Sequence, residues 1–287
     1  MSNPASLNPN LLPMTKKLAG MCRQCLIPDD DGFMYCAQNI DALLAHPTSP
    51  FVWGDATSFM LEATRVGFEA AIDGREGHFH IAAAVYHIGN GWTVSVASDG
   101  GGASAVLRSF NEATKHLHAA ELVMDRPDVV PLDADGNVYS AFDNVVPFPH
   151  QRQTVPVPKA ANVRAELRAV TQQVLEASER CRCKDCDCFR DCARHFRALL
   201  ANKRSAKAEP AMMDMDVVQV GFFAKLDGLD AHFHLAASAR AVGTAWTYIA
   251  ELGNDDLSMA NEEIQSALEH LRLANHGKAM KKECNQF

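Results

Sequence analysis

Apolar positions change their period along this chain. Val66, Phe68, Ala70 and Ile72 alternate with Gly67, Glu69, Ala71 and Asp73, the period of two that predicts a half-buried strand. Asp73-Gly-Arg-Glu-Gly77 reads as a turn, and Phe79, Ile81, Ala83 and Val85 as the apolar face of a second strand. Gly89-Asn-Gly91 then gives a tight turn into a third strand through Trp92, Val94 and Val96, because glycine and asparagine suit the backbone of short hairpins. Beyond the break at Gly100-Gly-Gly102 the period lengthens. Val106, Phe110, Ala113, Leu117, Ala120 and Met124 recur every three or four residues, the stripe of an amphipathic helix.

The whole pattern returns. Val66-Gly-Phe and His78-Phe-His80 reappear as Val220-Gly-Phe and His232-Phe-His234, 154 residues later, and nineteen of the 56 positions from Val66 to Glu121 are identical at that offset. Upstream, Cys22-Arg-Gln-Cys25 matches Cys183-Lys-Asp-Cys186 by motif; each is followed by a further cysteine, Cys36 or Cys192, and then by Ala-Leu-Leu-Ala. The sequence therefore predicts an α+β protein made by internal duplication of an α-β-β-β-α module. In each copy a helix covers a three-stranded antiparallel sheet, and a cysteine-rich metal-binding segment precedes it. Repeat 1 spans 1–126, with its cysteine segment at 20–46, sheet at 65–98 and helix at 104–125. Repeat 2 spans 161–287, with the corresponding parts at 180–204, 217–252 and 258–275. A proline-rich linker, 127–160, separates them.

Composition narrows the setting. The chain is 47% hydrophobic and 22% charged, with net charge −8, which fits a globular protein and argues against a surface that binds nucleic acid throughout. No stretch approaches the roughly 20 apolar residues needed to cross a bilayer, so no membrane partner is expected. The opening residues MSNPASLNPNLLPM lack a basic-then-apolar leader, and a cytoplasmic location is expected. In a reducing compartment the nine cysteines suggest metal or redox chemistry rather than structural disulfides.

Cys181, Cys183, Cys186, Cys188 and Cys192 fall within twelve residues, with His195 one helical turn further on. Cys-x-x-Cys lets two thiolates share an ion, and a third thiolate from a helix adds to the tetrahedron. Zinc on Cys183, Cys186 and Cys192, with Cys181, Cys188 or His195 as fourth ligand, is the expectation; an iron–sulfur cluster ranks behind it. Cys22, Cys25 and Cys36 form the weaker counterpart, with buried hydrophobic thiols as the alternative.

Strand parity puts Asp73, His78 and His80 on the sheet face opposite the covering helix, and Asp227, His232 and His234 likewise. Two histidines and a carboxylate can hold a metal with open positions, or form a plain cross-strand ion pair. On that parity His116, on the covering helix, is not expected to reach the His78-x-His80 pair. Finally, residues 161–207 carry eleven Lys/Arg against six Asp/Glu. Within them Arg182, Lys184, Arg190, Arg194 and Arg197 offer a basic stripe that could meet phosphates.

These features order three readings. First is a non-enzymatic, zinc-stabilised binding or regulatory protein, an adaptor or inhibitor, acting on a protein partner through two diverged repeats. Second is nucleic-acid binding through residues 180–204. Third is a metal-dependent enzyme using the Asp/His/His face. No nucleophile–base motif, phosphate loop or dinucleotide fingerprint is present in the sequence.

Overall fold

The computed structural model describes residues 11–25, 31–46, 52–97, 102–124, 160–181, 188–201, 209–252 and 257–275. Among them the secondary structure is ten helices and no strand. The chain divides into two compact units, Met1–Val146 and Pro147–Phe287, each with five helices among its described residues. Unit 1 holds α1 (Leu11–Gln24), α2 (Gly32–Ala45), α3 (Val52–Ile72), α4 (Glu76–Ala97) and α5 (Ala103–Met124). Unit 2 holds α6 (Ala160–Arg180), α7 (Cys188–Ala201), α8 (Glu209–Leu226), α9 (Asp230–Leu252) and α10 (Ser258–Asn275). The predicted linker 127–160 lies almost wholly outside the described residues.

The α+β prediction is thus wrong: both predicted sheets, 65–98 and 217–252, are helix pairs. In α3 the buried positions Ala56, Phe59, Ala63, Val66 and Ala70 step by three and four, the spacing of one helix face. Phe68 is buried as well, on another face of α3, because α3 packs against both α2 and α4; with Val66 and Ala70 it produced the alternation across 66–72. In α4, residues 81–85 are all buried, because this helix packs against α1, α3 and α5 at once. A helix enclosed on all sides loses its polar face, and its apolar run cannot be told from a buried strand by period.

The glycines misled for a related reason. A Cβ on Gly89 would come within 2.2 Å of Met60 and 2.6 Å of Phe59, so the missing side chain lets α3 and α4 approach closely. The apparent hairpin turn is a packing notch inside α4. Asp73-Gly74 does end an element, but that element is a helix. Gly74 has φ +70, its N–H donates to the Ala71 carbonyl at 3.2 Å, and the Arg75 N–H donates to the Ala70 carbonyl at 2.7 Å. This is a glycine-terminated helix stop. Gly228 (φ +69) makes the same pair of bonds, to Lys225 at 3.2 Å and from Leu229 to Ala224 at 2.8 Å.

Unit 2 is built alike, with α9 against α6, α8 and α10. A buried tie pins the first helix to the central one in each unit. The Trp92 indole N–H donates to Thr15 Oγ1 at 3.0 Å, and the Trp246 indole N–H to Thr171 Oγ1 at 3.0 Å. Each threonine donates in turn to a carbonyl one turn back in its own helix, Leu11 at 2.7 Å or Leu167 at 2.6 Å. A polar chain buried this fully holds only because every member has a partner.

The Thr15–Thr171 correspondence fixes an offset of 156 that runs without a gap from Leu11 to Ala45. Cys25 then matches Cys181, Cys36 matches Cys192, and Cys22 matches Ser178. The motif match of Cys22-x-x-Cys25 with Cys183-x-x-Cys186 was out of register. One ion pair in this register is inverted. Arg23 on α1 binds Asp41 on α2, whereas Glu179 on α6 binds Arg197 on α7 at 2.5 Å.

Candidate functional site

The site residues named from the sequence regroup on this helical frame. Helical rotation parts Asp73, His78 and His80, since residues two apart on a helix point to different faces. Asp73 lies at the end of α3 and pairs with Arg75 at 2.9 Å. His78 packs against Phe33 of α2, ring centroids 5.8 Å apart, and burial, then Arg75, pushes its pKa down. Asp227 ends α8, and burial pushes its carboxyl pKa up.

His80 finds a different partner. Its Nδ1 is 3.0 Å from Nδ1 of His116 on α5, which reverses the expectation that His116 is out of reach. The His87 ring stacks on His116 at 5.5 Å and 15°. In unit 2, His234 Nδ1 is likewise 3.0 Å from His270 Nδ1. Nδ1 facing Nδ1 requires one ring to donate and the other to accept. Burial, then the neighbouring imidazoles, lowers the His116 pKa to about 4. Burial, then His234, does the same for His270, also to about 4.

The cysteines divide by unit. Cys22, Cys25 and Cys36 are 0–3% exposed. Burial pushes the Cys22 thiol up and the Cys25 thiol to about 11. Cys36 Sγ lies 3.7 Å from the Phe59 carbonyl oxygen, close enough for the thiol to donate. Both Cys22 and Cys25 lie at the C-terminal end of α1, where the helix dipole opposes a thiolate. All three are side chains of the unit 1 interior.

In unit 2 the thiol that matches Cys25 meets an imidazole. Cys181 Sγ is 3.3 Å from His232 Nε2. Cys181 is half-buried and His232 is 1% exposed, with Phe189 of α7 against the His232 ring at 5.9 Å. Cys192 is buried on α7. His195, offered as a zinc ligand, is buried with Nε2 3.6 Å from the Asp216 carboxylate of α8. Cys183 and Cys186 lie outside the described residues, as does the Cys188 side chain. Among the described residues, no group of three or more His, Cys, Asp and Glu side chains is placed to hold a metal ion.

Of the basic stripe, Arg182 and Lys184 lie outside the described residues. Arg190, Arg194 and Arg197 share the exposed face of α7. Arg194 pairs with Asp191 at 3.2 Å and Arg197 with Glu179 at 2.5 Å, so part of the stripe's charge is already met within the unit. Among the described residues, no helix is long and apolar enough to cross a membrane.

No known protein family matches the chain, and no curated protein or solved structure does.

Sequence reasoning missed the Thr–Trp ties and the cross-helix histidine pairs. A signal for the second was present: His80 and His116 both recur at the offset of 154, so the pair is kept as a pair.

Proposed function

We propose that the chain is a non-enzymatic, zinc-stabilised binding protein built from two diverged copies of one five-helix bundle. In this reading the structural zinc belongs to unit 2. The observation that carries it is the 3.3 Å separation of Cys181 Sγ from His232 Nε2. Zinc–sulfur and zinc–nitrogen bonds set at the tetrahedral angle put two such donors about 3.6 Å apart. Cys183 and Cys186 follow Cys181 by two and five residues and are the candidates for the remaining positions. A zinc there would tie the end of α6 to α9, and its binding energy would add to the folding energy of the unit.

A protein partner is favoured over nucleic acid for two reasons. Arg194 and Arg197 spend charge on intramolecular carboxylates. Unit 1 also leaves Leu122, Val123 and Met124 41–52% exposed at the end of α5, and apolar side chains clustered at a surface suit contact with another protein.

The test is elemental analysis of protein purified without chelator, for the native chain and for Cys181→Ser and His232→Gln. The expected result is tightly held zinc in the native chain, lost in both variants, with a lowered melting temperature. A native chain without zinc, or variants that keep full zinc content and unchanged melting, would overturn this reading.

A further inference from the structure

The histidine pairs belong to neither the buried threonine–tryptophan ties nor the proposed zinc site, and they occur once per unit. We propose that His80 with His116, and His234 with His270, are two further metal sites, each taking one borderline divalent ion of the zinc, cobalt and nickel class between its two Nδ1 atoms.

Geometry is the first support. Imidazole nitrogens at zinc-type bond lengths lie about 3.4 Å apart in a tetrahedron and about 2.9 Å apart at a right angle. The observed Nδ1 separations are 3.0 Å in both units, so an ion fits with sub-ångström adjustment. The donors also sit on different helices, α4 with α5 and α9 with α10. These helix pairs are packed along their lengths, so neither donor has to be brought in from a loop.

The second support is the recurrence of the surroundings. Phe79 meets the His116 ring edge-on at 6.3 Å and 89°, and Phe233 meets His270 at 6.5 Å and 89°. An aromatic edge therefore fixes the plane of the α5 or α10 imidazole alike in both units. A carboxylate also stands within electrostatic reach of each pair. Glu112 acts on His116, and Glu269 acts on both His270 and His234. They come from different positions of the helix, four residues and one residue before the histidine, and each is tethered to a cation three residues on, Lys115 at 2.8 Å or Arg272 at 2.6 Å. Two imidazoles suit borderline divalent ions, and the nearby negative charge favours a cation there. Positions that the imidazoles leave open would take water. The ligand set differs from the Asp73/His78/His80 grouping that the sequence suggested, because here the donors come from two helices rather than from two neighbouring strands of one sheet face.

Cobalt(II) is the probe, because its thiolate and imidazole complexes are spectroscopically distinct. The full native chain is titrated with cobalt while the ring-nitrogen shifts of its histidines are followed by NMR, and bound metal is counted after dialysis. The inference expects the rings of His80, His116, His234 and His270 to respond together. It also expects the double variant His116→Phe/His270→Phe to hold two fewer ions per chain, while any thiolate-to-cobalt charge-transfer band stays unchanged. That band reports the Cys181 site separately, so the two proposals can fail independently. If the four rings in the native chain do not respond to cobalt at millimolar concentration, the inference is overturned without recourse to a variant. Equal stoichiometry in native and double-variant proteins would overturn it as well.

Discussion

The two units put different chemistry at the same position of one scaffold. Where α1 ends, Cys25 is 3% exposed and its thiol is pushed up to about 11 by burial. Where α6 ends, Cys181 is half-buried and touches His232 at 3.3 Å. The histidines beside them differ in the opposite sense: His78 is only half-buried, whereas His232 is almost fully enclosed. The lesson is that the interior ties hold the bundle, which leaves the α1–α2 and α6–α7 ends free to diverge. The Thr–Trp bond, the helix-stop glycine and the Nδ1 pair are the same in both units. The thiols, the surface charges and His87, which stacks on His116 and has Ala241 at its counterpart position, are not.

If the shared interior sustains both units, damage to it should be equal in kind. Trp92→Ala removes a fully buried indole and leaves Thr15 without its tie, an expected cost of about 3–5 kcal/mol. Trp246→Ala should cost slightly less, because Trp246 retains 9% exposure. Denaturant titration of each variant checks this, and a loss confined to one tryptophan would break the equivalence of the units.

The pH response should divide the units more finely. For His270, the folded pKa is lowered from 6.5 to about 4, so the unfolded chain binds more protons between those values. Stability is therefore full above about pH 6.5 and falls as the solution is acidified toward pH 4. The slope from this residue is at most about 1.4 kcal/mol per pH unit. His116 should contribute less, because it is more open to solvent than His270. Melting curves in chelator from pH 7 to 4 measure the slope, and His270→Phe should flatten it more than His116→Phe.

The smallest expected effect concerns the inverted ion pair. Arg23→Glu alone places two carboxylates together at an exposed contact and should lower stability slightly. Adding Asp41→Arg builds in unit 1 the polarity that unit 2 already has and should restore the loss. A double-mutant cycle that shows no coupling would mean that the pair is only a solvated contact.

What could be read from the sequence was the stripe of α5, where Val106, Ala113, Leu117 and Ala120 are buried, because that helix keeps a solvent face. The central helices α4 and α9 could not be read this way. Enclosure erases their polar face, and Gly89, needed for close approach to Met60 and Phe59, looks like a turn in sequence. Asp73-Gly74 carried a true stop signal, but a helix stop and a hairpin both want a glycine at positive φ. At the site, residue types were legible and partners were not. Once 78–80 is helical, His78 and His80 face apart, and His80 turns to His116.

The inverted charge pair has a consequence for a chain that carries two similar bundles in tandem. Each first helix meets two related second helices while the chain folds, since buried Phe33, Cys36, Ala37 and Leu43 recur as Phe189, Cys192, Ala193 and Leu199. An exchange of α2 for α7 would set Arg23 against Arg197, and the reciprocal exchange would set Glu179 against Asp41. Both mispaired hairpins carry like charges at the contact, and both native ones carry opposite charges. A polarity reversal worth little to either unit by itself thus opposes both mispaired hairpins and favours both native ones, against helix exchange of the domain-swapping kind.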